Sequence, residues 1–135
     1  MTALLVEAGD YWLLPFERIA RIATAEHLRP YAFEVPQLDG LLLADEGLVP
    51  VWRPDEFQGN GQVIVLYYGD EGLAGLRVTQ VHGVRTFAGE TGEHGAAVAL
   101  SDGMRGMWFD FDVMESRFAN LALSGGMNAE EDIVG

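Results

Sequence analysis

The sequence of 135 residues contains no cysteine and no lysine. Without cysteine there is no thiol nucleophile, no thiolate metal ligand and no redox pair. Without lysine there is no P-loop lysine, no Schiff-base amine and no Ser-Lys dyad. All eight basic residues are Arg, set against 21 acidic residues, for a formal net charge of -13. Nucleic acid is disfavoured as a partner because a polyanion would meet a field of its own sign, and anionic membrane surfaces are disfavoured for the same reason. Long hydrophobic runs are missing too. The longest, Val63 to Tyr68, is far too short to span a bilayer, so no membrane insertion is expected, and Met1 to Ala8 has no basic n-region of a secretory signal. The expected location is cytoplasmic, with which the absence of cysteine agrees.

Histidine and serine are scarce. His27, His82 and His94 lie far apart, and no pair has the short spacing of common metal motifs. Ser101, Ser116 and Ser124 are the only serines, and none sits in a Gly-x-Ser-x-Gly elbow. Gly59-Asn60-Gly61 looks like the start of a phosphate loop, but it precedes the strongest strand where a dinucleotide fingerprint follows one, so it reads as a plain turn. Two-carboxylate hydrolysis needs a pair of acids with separated pKa values. Asp110 with Asp112, or Asp45 with Glu46, could be such a pair, but chance neighbours are expected among 21 acids and solvated charge is the better account. The expectation is of no catalytic residue, no cofactor and no metal. A small ligand-binding or hydrolytic β-barrel using Asp110 and Asp112 stays open as the lesser alternative.

What the chain does have is glycine. Seventeen glycines cut a 49% hydrophobic sequence into many brief apolar segments, the signature of an all-β sandwich or barrel. Residues 1–124 are expected to form a single domain, with 125–135 an acidic C-terminal tail that is loose or dependent on a partner. Thr2 to Glu7 and Tyr11 to Leu14 read as a hairpin turning at Gly9-Asp10. Phe16 to Ala23 fits either a short helix begun at Pro15 or a strand at Ile19 to Ile22. Pro30 and Pro36 bracket an irregular link into a hairpin over Leu38 to Trp52. Val63 to Tyr68, β-branched and aromatic, is apolar enough to be buried on both faces and pairs with Leu73 to Val81. Gly83 to Gly95 reads as a loop with a short strand near Val84 to Phe87, and Ala97 to Leu100 with Met104 to Phe109 as the last hairpin. One helix is expected, capped by Asp112 with Glu115 at N3, carrying Met114, Phe118, Leu121 and Ala122 on one face, and ended by Gly125-Gly126.

The order of these segments resembles the CheW domain family. The resemblance rests on Tyr11 to Ile22, a link ending Val35-Pro36, Leu38-Asp39-Gly40-Leu41-Leu42-Leu43, and Leu48-Val49-Pro50-Val51. It continues through Val63 to Tyr68, the Asp70-Glu71-Gly72 turn, Gly75-Leu76-Arg77-Val78 with Val81, Ser101-Asp102-Gly103, and Trp108 to Asp112 running into a helix. The matches span about residues 3 to 122 in the family's order. The resemblance implies two small five-stranded SH3-like barrels packed on a shared core, with a short C-terminal helix and no active site. It implies a cytoplasmic bacterial signal-transduction adaptor that couples a chemoreceptor to a CheA-type histidine kinase through protein–protein contacts. By alignment, the partner-binding residues are Ile19, Ile22, Leu43, Asp45 and Glu46, although Ile19, Ile22 and Leu43 read equally well as core. Self-association stays open.

Two positions depart from the family. Alignment without gaps from Gly40 to Pro50 puts Asp45-Glu46 where the family usually has Arg-Gly, and Thr79 stands in place of a strand aspartate. Because the family's arginine lies near its receptor-contacting region, the reversed charge at Asp45 opens a second reading: a divergent CheW-like regulatory domain with a non-chemotaxis partner.

Overall fold

The structure, a computed structural model, describes residues 1–32, 34–88 and 92–134, with side chains up to residue 124. Its elements are β1 (Thr2–Ala8), β2 (Asp10–Pro15), a 3-10 turn (Phe16–Arg18), β3 (Ile19–Thr24), a second such turn (Ala25–His27), β4 (Leu28–Arg29), β5 (Leu38–Ala44), β6 (Gly47–Trp52), β7 (Val63–Gly69), β8 (Gly72–Val78), β9 (Gln80–Thr86), β10 (Ala97–Ala99), β11 (Arg105–Trp108) and α1 (Phe111–Val134). The strands form two sheets, ordered β10-β11-β2-β1-β9 and β3-β7-β8-β6-β5-β4. All pairs are antiparallel except β11 with β2 and β6 with β8. This is the all-β architecture with a C-terminal helix that the sequence leads one to expect. The second sheet has a sixth strand because the two-residue β4, just before Pro30, pairs with β5.

Each sheet curls around an interior of its own. In the six-stranded sheet, Ala20 and Ala23 of β3 pack with Leu28 of β4 and Leu42 of β5, so the first and last strands of the order share one cluster with Val49, Val51, Ile64 and Leu66. In the five-stranded sheet, Phe87 beyond β9 meets Trp108 of β11 edge-on at 6.3 Å, over Ala3, Leu5, Leu13 and Leu100. A third and larger core lies between the sheets. Leu4, Val6, Trp12 and Leu14 face Val65, Tyr67, Leu76 and Val78 there, closed off by Phe111, Met114 and Phe118 of α1.

Side chains alternate across a strand, so the central strands feed two cores at once. On β7, Ile64 and Leu66 fill the six-stranded interior while Val65 and Tyr67 fill the shared core. The two-faced burial expected of Val63 to Tyr68 is thus realised over Ile64 to Tyr67, while Tyr68 is 56% exposed.

One open reading is settled and three local expectations are corrected. The ambiguous stretch after Pro15 is both things in turn, a 3-10 turn and then β3. The strand expected to run to Val81 breaks at Thr79, whose N–H donates to the Glu7 carbonyl at 2.8 Å. There the chain leaves β8 of one sheet and becomes β9 of the other, pairing with β1. The short strand expected near Val84 to Phe87 is the end of β9, which runs to Thr86; residues 89–91 lie outside the described residues. The helix cap is Asp110 and not Asp112, since Asp110 Oδ1 accepts the N–H groups of Asp112 at 3.0 Å and Val113 at 3.2 Å. Finally, α1 continues through Gly125-Gly126 to Val134. Glycine lowers helix propensity by about 1 kcal/mol without forbidding helical angles, and no proline follows to force a stop. The acids of the 125–135 segment have side chains outside the described ones.

The Gly59-Asn60-Gly61 turn serves as a corner. Arg53 Nη1 donates to the Gly59 carbonyl at 3.1 Å and to Asn60 Oδ1 at 2.6 Å, while Arg77 Nε donates to the Gly61 carbonyl at 2.7 Å. A Cβ on Gly61 would land on the Val78 carbonyl, which is backbone and cannot swing aside. Gly61→Ala should therefore destabilise the fold by about 1–3 kcal/mol, the range of forced overpacking. A urea midpoint equal to the parent's would show that this approach is not tight.

Candidate functional site

The strongest cluster of titratable groups joins three separate segments. Glu56, in the link after β6, accepts a hydrogen bond from Arg117 of α1 at 2.6 Å and one from His94 Nε2 at 2.8 Å. The other ring nitrogen, His94 Nδ1, accepts the Asp110 N–H at 3.1 Å, which assigns the Nε2–H tautomer. The imidazole lies stacked on Trp12 at 5.2 Å. Both ring nitrogens are committed inside the fold, so the imidazole has no free lone pair with which to take a proton from a substrate. Burial pushes the Glu56 carboxyl up, but the hydrogen bonds from Arg117 and His94 outweigh it and hold the group below its ordinary range.

A second cluster seats α1 on β7. Tyr67 OH donates to Glu115 Oε1 at 2.6 Å, and the Asp70 N–H donates to Glu115 Oε2 at 3.1 Å. Burial first, and the Glu115 charge second, raise the Tyr67 phenol far above its usual range, so it remains a donor. Glu115, expected in a capping box, makes these contacts instead. Asp112 pairs with Arg18 at 3.1 Å and its side chain is 85% exposed. Asp110 caps the helix. The two carboxylates proposed for hydrolysis thus have separate structural contacts, and neither lines the grooves at β6–α1 or at Asp39. His82 Nε2 lies 2.9 Å from Glu7, and His27 is exposed in the second 3-10 turn. Among the described residues, no three His, Asp or Glu side chains are grouped to hold a metal ion, and no helix is long and apolar enough to cross a membrane.

The five alignment-derived contact residues are distributed as follows. Ile19 is half-buried against the shared core. Ile22 is 48% exposed and Leu43 67% exposed, so neither is core. Asp45 and Glu46 form the exposed β5–β6 turn. Glu46 Oε1 accepts from Arg21 Nη2 at 2.9 Å, which ties that turn to β3 next to Ile22. Arg21's hydrogen bond lowers the Glu46 pKa, and the same bond raises that of Arg21. Four of the five therefore stand at the surface, Glu46 paired with Arg21, while Ile19 packs on the shared core.

Sequence reading missed a neighbour of this patch. Leu48 sits directly opposite Leu43 in the hairpin register and is also 67% exposed. Leu41 opposite Pro50 continues the same outward face. The signal was available in the alternation: Leu42, Val49 and Val51 already fill the interior, so their neighbours must point away from it.

Taken together, the two curled sheets, the core between them and the C-terminal helix define a CheW-like fold. Among solved structures, the chain is similar to the scaffolding protein TtCheW from Thermoanaerobacter tengcongensis, with a TM-score of 0.65 and 15% sequence identity over 82% of this chain and 90% of that one. No family model matches the sequence, and no curated protein matches it.

The Glu56 cluster gives a pH test. A carboxyl whose folded pKa is depressed adds stability that is fully present above its unfolded value, near 4.5, and is lost as pH falls through the lower folded value. Glu56→Gln should cost about 1–2 kcal/mol at pH 7, discounted for partial exposure, and should flatten the fall in stability below pH 4.5 relative to the parent. Urea titrations from pH 7 to pH 3 measure both; parallel curves for the two proteins would deny Glu56 this role.

Proposed function

We propose that this chain is a non-catalytic adaptor that couples a chemoreceptor to a CheA-type histidine kinase through protein–protein contacts. The observation that carries the reading is the CheW-like pairing of two curled sheets on a shared core. The commitment of both His94 ring nitrogens to contacts within the fold supports it, because that imidazole is left with no lone pair for general-base work. The partner face in this reading is Ile22, Leu43, Asp45 and Glu46, where two exposed apolar side chains flank a rigidified acidic turn. Apolar side chains left in water at the surface of a small domain gain most by being covered.

The charge at Asp45 favours one variation. An acidic turn suits a basic partner face, so a divergent regulatory domain with a non-chemotaxis partner fits the same surface. Reconstitution separates the two. The purified chain, mixed with the CheA-type kinase and receptor signalling domain of its own organism, should co-elute with both and make kinase activity receptor-dependent. Leu43→Asp should weaken that association roughly tenfold or more, the scale of losing one buried anchor. Its unfolding midpoint should stay at the parent's, because Leu43 is not core. If kinase and receptor both fail to bind, the chemotaxis reading falls; if they bind and Leu43→Asp is silent, the assigned face is wrong.

A further inference from the structure

A groove of ≈ 1000 Å³ separates the outer face of the β5–β6 hairpin from α1. One wall carries Leu41, Leu48 and Pro50, and the other carries Ala119 and Ala122 of α1, with the 56% exposed Tyr68 at one end. None of its described lining residues comes from the five-stranded sheet, so it is not the space between the sheets. On the α1 wall Ala119 and Ala122 are exposed and add no bulky side chain to the groove.

The rim is acidic. Arg21 and Glu46 neutralise each other. Asp70, Glu71 and Glu115 also line the groove, and none of them joins an ion pair with a cation among the described residues. Glu115 is held in place by Tyr67 and by the Asp70 N–H, both neutral donors, so its charge is fixed at the rim and left uncompensated. A second copy of the chain would bring another net charge of -13 and is repelled.

We propose that this groove seats a cationic amphipathic helix of a protein partner, its apolar stripe on Leu48, Pro50 and Ala119 and its basic flank on Asp70 and Glu71. Helix-in-groove recognition supplies the apolar anchors, and the rim sets the sign of the charge. The inference rests on the adaptor reading only for the premise that the chain works by binding protein; the kinase and receptor assignments are separate.

The test uses a fluorescein-labelled 18-residue Leu/Lys amphipathic peptide and its Leu/Glu counterpart, read by anisotropy, with amide shift mapping of the labelled chain. The Leu/Lys peptide should bind at least tenfold more tightly, with shifts centred on Leu48, Leu73 and Ala119. Leu48→Asp should abolish binding, and Ala122→Trp should do the same by filling the groove from α1. Glu71→Gln should weaken binding several-fold and reduce its salt dependence, while Asp10→Asn, at the β1–β2 turn of the other sheet, should not. Equal binding of the two peptides, shifts scattered over the acidic surface, or an equal loss from Asp10→Asn would overturn the proposal. So would a dimer that Leu48→Asp converts to monomer, since that would make the second copy the occupant. Retained kinase and receptor binding alongside any of these would leave the adaptor reading intact.

Discussion

Leu4, Val6, Trp12 and Leu14 of one sheet meet Val65, Tyr67, Leu76 and Val78 of the other, and this contact is what turns two curled sheets into one object. Neither sheet is large. Each interior holds only five or six fully buried side chains, so alone each would be marginal on area grounds. The shared core makes up the difference by using the second face of strands that the interiors already need. Apolar alternation cannot fix the register of such strands, because a one-residue slip exchanges one apolar face for another. Sterics do so instead. Gly75 of β8 points at Ile64, Val51 and Leu66, where a Cβ would come within 2.8 Å of the Ile64 methyl, and Gly106 of β11 approaches Leu13 in the same way. A slip would drive Ala74 or Leu76 into that space.

Because the shared core is open along one side, α1 is part of the core and not an appendage. Phe118 stacks on Trp52 at 4.4 Å, and Phe111 packs on Tyr67 at 4.6 Å. Around these contacts the polar groups set orientation: Arg18 to Asp112, Tyr67 to Glu115 and Arg117 to Glu56 each tie the helix to a different segment. Exposed or half-exposed pairs of this kind add little stability individually. Their effect is to fix the helix's rotation about its axis, and with it the width of the groove that Ala119 and Ala122 face.

The sequence made the strands legible wherever both faces were apolar or a glycine marked the turn. Val63 to Tyr68, the 38–52 hairpin and the opening hairpin all stand where periodicity and turn residues put them. It was silent where the structure turns on geometry. Nothing in Val78-Thr79-Gln80 is a turn residue, yet the chain changes sheets there, because the event is a change of hydrogen-bonding partner from Val63 to Glu7. Asp110 and Asp112 both precede the helix, and composition cannot say which carboxylate reaches the free N–H groups. Leu43 reads equally well as core by hydropathy alone, and it is the alternation with the inward Leu42, Val49 and Val51 that turns Leu43 and Leu48 outward.

The acidity acquires a more definite sense once the arginines are placed. Arg18, Arg21, Arg53, Arg77, Arg85 and Arg117 are each in an ion pair, which leaves only Arg29 and Arg105 of the eight without one among the described residues. Those six are matched by just five acids, Asp39 serving two of them. The positive charge is consumed in bracing turns and the helix, so the field beyond the surface is set almost wholly by the remaining carboxylates. On net charge such a field disfavours a second copy and favours a cation-bearing surface, over about 8–10 Å at ordinary ionic strength. Its apolar openings, at Leu43 and along the β6–α1 groove, therefore lie in a field that disfavours like charge and favours the opposite sign.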